Sequence, residues 1–132
     1  MKRFPFLSTS QATMVLRLCV SLFLIIHGVS RIYHGGVVPF GDFLNSQGFM
    51  IGLALAWALT IFEIVGGLLL AVGYYVRAIT AVFIAEIFMG IVLVHAQHGW
   101  FVVGGGLNGV EYSVLLIVCL VVIAAQSSSK KF

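Results

Sequence analysis

Of the 132 residues, 61% are hydrophobic and only 8% charged, whereas a soluble domain carries about 25% charged residues; this chain cannot coat a water-soluble surface. Its net charge of +3 comes from basic residues scattered at the ends of hydrophobic runs, so no patch exists that could bind nucleic acid. No stretch is left over for a soluble module, and a single domain over residues 1–132 is expected.

Four apolar runs fill the chain, at about 12–33, 50–73, 78–96 and 107–126. A helix needs about 20 apolar residues to cross the hydrocarbon core of a membrane. The expected fold class is therefore all-α, a transmembrane four-helix bundle. Lys2 and Arg3 precede the first run and resemble the basic start of a signal peptide. The run itself is long, carries Arg17 early and is followed by no small-x-small cleavage site, so a retained first helix is expected.

One face of that first helix is informative. Arg17, Ser21, Leu24, Gly28 and Arg31 recur at alternating spacings of four and three, which puts them on one side. His27 stands four residues before Arg31 and is its neighbour. The segment 34–49 reads as a loop, with Gly35, Gly36, Pro39, Gly41, Asp42 and Asn45, and its aromatic residues suggest a re-entrant or interfacial stretch.

The second run holds Glu63 at the head of EIVGG, with Gly66 and Gly67 one turn further on as structural residues that permit close helix contact. Gly73, Tyr74 and Tyr75 end it at an interface, and Arg77 opens the third run. That run carries Glu86. At 1.5 Å of rise per residue, Glu63 and Glu86 both fall near the midplane, about 20 Å from the outer surface and about 13 Å from the inner one. An ionisable group at such a depth faces a bundle interior, a cavity or a partner. Both carboxyls are candidate proton carriers, that is, candidate catalytic residues; the alternative for each is an interhelical hydrogen bond.

The third connection, HAQHGWFVVGGGLNG, brings His95, His98 and Trp100. Two histidines three apart lack a third ligand in the segment, so no metal site is assigned. Haem ligation between His27 and His95 is geometrically conceivable and disfavoured. The fourth run opens with Glu111 close to the outer surface. His27, Arg31, His95 and Glu111 share that depth and are expected to meet there, as a substrate-binding cluster or as a network that pins the helices. Arg17, near the inner surface, and Arg77 are taken as structural. Cys19 and Cys119 are a hundred residues apart with no C-x-x-C pair, which points to packed thiols and away from a dithiol relay.

An even number of spans puts both termini on one side, together with Lys2, Arg3, Arg77, Lys130 and Lys131. The positive-inside rule makes that side cytoplasmic. The expected location is a prokaryotic cytoplasmic (inner) membrane, crossed several times.

The LRL at Leu16–Leu18, the His27–Gly28 pair with Arg31, and the EIVGGLLLAVGYYVR block from Glu63 to Arg77 resemble the DoxX family of small four-helix membrane proteins. So do the HGWF at His98–Phe101 and the GVEYSVLL from Gly109 to Leu116. The resemblance implies a four-helix bundle in the cytoplasmic membrane. Relatives include a subunit of a thiosulfate:quinone oxidoreductase and proteins of sulfur and oxidative-stress redox complexes. It also implies that Arg17, Glu63, Arg77 and Glu111 match recurring polar positions of the family. The function expected on these grounds is a membrane-embedded subunit of a quinone-linked oxidoreductase or redox-associated complex. The chain would supply an apolar pocket with buried Glu and Arg groups. It would hold no cofactor alone, with quinone as the candidate ligand. Expected partners are lipid, a membrane or peripheral protein, and a second copy of the chain. The alternative is a non-enzymatic assembly or scaffold subunit; a small-solute transporter is disfavoured, since no inverted repeat of broken spans is visible.

Overall fold

The computed structural model describes residues 3–128. Lys2, Lys130 and Lys131, on which the topology expectation partly rests, lie outside the described residues. Five α-helices follow in order: α1 (Thr9–Tyr33), α2 (Val37–Ser46), α3 (Gly52–Val72), α4 (Val76–Leu93) and α5 (Glu111–Gln126), with one 3-10 turn at His95–His98.

Local chemistry sets the ends of these helices. α1 opens at Thr9, earlier than hydropathy suggests, because Ser8 and Gln11 form a capping box: Gln11 N–H donates to Ser8 Oγ (3.2 Å) and Ser8 N–H to Gln11 Oε1 (2.9 Å). α3 ends at Gly73, whose φ of +85° suits glycine, with Gly73 N–H bonded to Leu70 O and Tyr74 N–H to Leu69 O. α5 begins at Glu111 and not near 107, since Gly104, Gly105 and Asn108 all have positive φ and hold the chain out of a helix.

The stretch 34–49 is not a loop. Its centre is α2, a ten-residue helix despite Pro39 and Gly41. Proline is tolerated in a first helical turn, where its missing N–H has no intrahelical partner in any case. α2 is held by what it touches. Asn45 Oδ1 accepts from Gly52 N–H (2.8 Å) and so caps α3. Gly41 lies so close to the start of α3 that a Cβ there would stand 2.8 Å from Leu53 Cα.

α1 packs along α3, α3 along α4, α4 along α5 and α5 back onto α1. α1 and α3 run antiparallel: Arg17 meets Gly73, Ser21 and Ile25 meet Gly67, and Gly28 meets Thr60, Glu63 and Ile64. The result is a closed ring of four helices with α2 laid against the start of α3. Val20, Leu24, Leu70, Val76, Ile79, Phe83, Leu116, Leu120 and Ile123 fill its core. A second apolar cluster, with Val37, Leu44 and Ala56 at its centre and Phe40, Phe43, Phe49 and Leu93 around it, fills the loop end.

Outside, the bundle is as apolar as inside: Leu22, Phe23, Ile26, Leu68, Phe88, Val92, Leu115 and Val118 are exposed. Only a lipid environment, or another apolar surface, accepts such a belt. α1, α3 and α4 are long and apolar enough to cross a membrane. α5 has 16 residues, which is roughly 24 Å of helix. The molecule is thus an all-α, membrane-spanning helical bundle with three helices of clear spanning length.

Candidate functional site

Arg31 stands in the last turn of α1. Side chains on a helix lean toward its N-terminus, so this one turns back into the bundle, away from the loops. There it meets Glu63 of α3 through two bonds, Nη1 to Oε2 (2.8 Å) and Nη2 to Oε1 (3.1 Å). Nη1 also donates to Thr60 Oγ1 (2.9 Å), whose own hydroxyl donates to Ala56 O (2.7 Å). The guanidinium lies over the Phe40 ring of α2, 4.6 Å from its centroid, a cation–π contact. Charge-assisted bidentate pairing of this kind is strong and fixes geometry.

The pair is deeply placed. The Arg31 side chain is 14% exposed and that of Glu63 5%. His27 completes the group from α1, with Nδ1 3.4 Å from both Glu63 Oε1 and Arg31 Nη2. Its ring is 69% exposed, so it joins the buried pair to the outer surface of the bundle. Gly28 makes the approach possible: a Cβ there would stand 3.0 Å from Thr60 O and 3.1 Å from Glu63 Cβ.

On its other side Glu63 meets Glu86 of α4, and the two carboxyls lie side by side. Two carboxyl groups hydrogen-bond to each other only with a proton between them. Oε2 of Glu86 is buried and finds no donor among the described residues. Glu86 also lines a cavity of about 350 Å³ between α2, α3 and α4, otherwise walled by apolar residues such as Phe40, Phe43, Leu59 and Met89. Ligand sites have this character, an apolar pocket of roughly 300–1,000 Å³ with a few placed polar groups.

The expected cluster of His27, Arg31, His95 and Glu111 does not form as a unit. Arg31 takes Glu63 as its carboxylate, because α3 is the helix that faces it. Glu111 instead stabilises its own loop: Oε1 accepts from Val102 N–H (2.7 Å) and Val103 N–H (3.3 Å). His95 Nδ1–H donates to Asn108 O (2.7 Å) across the same loop. His98 Nδ1 is bonded to Val94 O (2.8 Å). No group of three or more metal-ligating side chains occurs among the described residues. Thr60 and Phe40 escaped sequence reasoning. Thr60 is three residues before Glu63 on the same helix face, which was a usable signal; Phe40 sits in a segment read as a loop.

The remaining predicted residues are spread. Gly67 is where α3 meets Ser21 and Ile25 of α1, whereas Gly66 faces the Phe62 ring of its own helix. Arg17 rests against Gly73 at the end of α3. Arg77 is exposed and donates to Ser127 O (3.3 Å). Cys19 is exposed and Cys119 half-buried, and neither forms a disulfide.

Fold and site define a small multi-pass helical membrane protein with a buried ion pair beside a carboxyl-bearing apolar cavity. The sequence matches the DoxX family over residues 12–96. The chain belongs to the DoxX family, whose matched region takes in α1 to α4 with Arg17, Arg31, Glu63 and Glu86. Neither curated proteins nor solved structures give a significant match.

Proposed function

We propose that the chain is the membrane-embedded subunit of a quinone-linked oxidoreductase in a prokaryotic cytoplasmic membrane, with both termini in the cytoplasm. The observation that carries this reading is the apolar cavity with the Glu86 carboxyl in its wall and Glu63 behind it. A quinone ring is flat and apolar, with oxygens that need a proton donor, and an apolar cavity with one carboxyl suits it. Quinone reduction consumes two electrons and two protons. The electrons would come from a cofactor on a partner protein. Glu86 would hold a proton at the quinone oxygen, and Glu63 would replace it. Arg31 holds Glu63 in place and favours its charged form, and His27 offers a route for protons from the bundle surface.

Titrating the purified protein with a short-tailed quinone tests the reading. Saturable binding is expected in the wild type. Glu86→Gln should weaken it about tenfold, the effect of losing one hydrogen bond to a charged or strongly polar group. Gly90→Leu should abolish it, since Gly90 lines the cavity and has open space where a side chain would go. Non-saturable binding in all three proteins would refute the proposal.

A scaffold role is the second reading, and the Arg31 group favours it. Thr60, Glu63 and Phe40 already satisfy the guanidinium from within the chain, as in a pin that joins α1, α2 and α3. Native purification followed by mass spectrometry separates the two. A stoichiometric oxidoreductase partner supports the first reading, and an unrelated complex supports the second.

A further inference from the structure

The end of the bundle where α1 starts and α5 finishes holds a second cavity. It measures about 350 Å³ and is lined by Thr9, Ser10, Thr13, Met14 and Arg17 of α1 and Gln126 of α5. None of these residues belongs to the Glu63–Glu86 site.

The charge in this cavity is one-sided. Arg17 brings a full positive charge, and its Nε is buried without an acceptor among the described residues. The chain has only four acidic side chains. Asp42 lies in α2 and Glu111 at the start of α5, both at the opposite end, while Glu63 and Glu86 are engaged with each other and with Arg31. No acidic side chain is therefore left for Arg17.

The end of α3 does not consume Arg17 either. Its guanidinium lies against Gly73, with Nη1 3.3 Å from where a Cβ would stand. Yet the Leu69 and Leu70 carbonyls there already accept from Tyr74 and Gly73 N–H groups.

The other groups in the cavity are donors of the right kind. The capping box uses the N–H groups of Ser8 and Gln11. Those of Thr9 and Ser10 stay without intrahelical acceptors, at the positive end of the helix dipole. The Ser10 and Thr9 hydroxyls and the Gln126 amide add to them. The Thr13 hydroxyl donates to Thr9 O (2.9 Å) and offers lone pairs only. The Arg17 side chain leans toward Thr13 and Ser10, as helix geometry requires, so its fork opens toward the cavity.

We propose that this cavity binds a phosphate group. An arginine fork beside helix-terminal N–H groups is suited to a tetrahedral oxyanion. The cavity lies at one end of the spanning helices, at the level of lipid headgroups. The phosphate is therefore that of an anionic phospholipid or of free phosphate, and the experiment distinguishes the two.

The test is native mass spectrometry of the full chain released from detergent micelles doped with phosphatidylglycerol or with diacylglycerol, which lacks the phosphate. The wild type should retain one phosphatidylglycerol and discriminate against diacylglycerol. Arg17→Gln should lower retention roughly fivefold, the worth of one arginine near a charged headgroup. Ser10→Leu, which fills the cavity from an exposed helix position, should do the same, and Arg3→Gln should not. Displacement of the lipid by millimolar inorganic phosphate assigns the site to free phosphate; retention assigns it to the headgroup. Equal retention of diacylglycerol overturns the proposal, as does unchanged retention by a folded Arg17→Gln. If Arg17→Gln does not fold, full retention by Ser10→Leu overturns it alone.

Discussion

Arg31 and Glu63 carry their weight as a pair, and the pair can be tested by taking it apart. Arg31→Met leaves a carboxylate at a position where its side chain is 5% exposed. Stranding a buried charge costs about 3–5 kcal/mol, while replacing both partners with apolar residues can be neutral. Thermal unfolding in detergent should therefore show a large loss for Arg31→Met and for Glu63→Leu, and recovery of most of it in the double variant. Additive losses would mean that the two side chains are not coupled. Glu111 makes a different kind of contribution, because its partners are backbone N–H groups of the loop that precedes α5. In Glu111→Ala, hydrogen exchange at Val102 and Val103 should accelerate, and chymotrypsin should cut more readily beside Trp100 and Phe101. The unfolding temperature of the bundle should barely move.

At the scale of the helix, glycines decide how closely α1 and α3 approach. A Cβ at Gly28 would stand 2.9 Å from Ile64 Cγ1 and 3.0 Å from the Thr60 carbonyl, which cannot yield. At Gly67 the nearest atom, 2.6 Å away, belongs to the side chain of Ile25. Gly90, on α4, has nothing within 4 Å. Overpacking a tight contact costs about 1–3 kcal/mol, while Gly→Ala in an open helix position gains roughly 0.5–1 kcal/mol. Denaturant unfolding should accordingly rank Gly28→Ala as most destabilising and Gly67→Ala next, with Gly90→Ala more stable than the wild type. Hydropathy made α1, α3 and α4 legible from sequence, because a spanning helix needs little else. α2 was not legible: Gly36, Pro39, Gly41 and Asn45 are turn residues by local propensity, and only contacts with Gly52 and Leu53 make that segment a helix. The site was legible in its members and not in its pairing. Glu63, Glu86, Arg31 and His27 stood out as ionisable groups in apolar runs. Which carboxylate meets Arg31 depends on the order of helices around the ring and on the direction of its side chain, neither of which hydropathy records.

The whole molecule has two unlike ends. The end with both connections carries Asp42, Glu111, His95, His98 and the aromatic cluster under α2. At the other end, Arg3 and Arg77 stand with Arg17, and none of the four acidic side chains is there. Lysine and arginine are retained on the cytoplasmic side of a membrane, so this asymmetry orients the bundle with both termini inside. α5 is the helix on which that orientation depends, since 16 residues make it the shortest of the four. It nevertheless packs along α4 and α1 and closes the ring, and the Gly99–Val110 loop folds back on its start through the bonds from Val110 N–H to Gly99 O and from Glu111 N–H to Trp100 O. That arrangement gives α5 the same two ends as its neighbours and makes it the fourth span. Single cysteines near Asp42, Gly106 and Ser128, introduced after Cys19 and Cys119 are replaced by alanine, test this in intact cells. An impermeant thiol reagent should label the first two from outside and reach the third only after permeabilisation. Outside labelling at Ser128 would reduce the bundle to three spans, and protection of Asp42 and Gly106 would invert it.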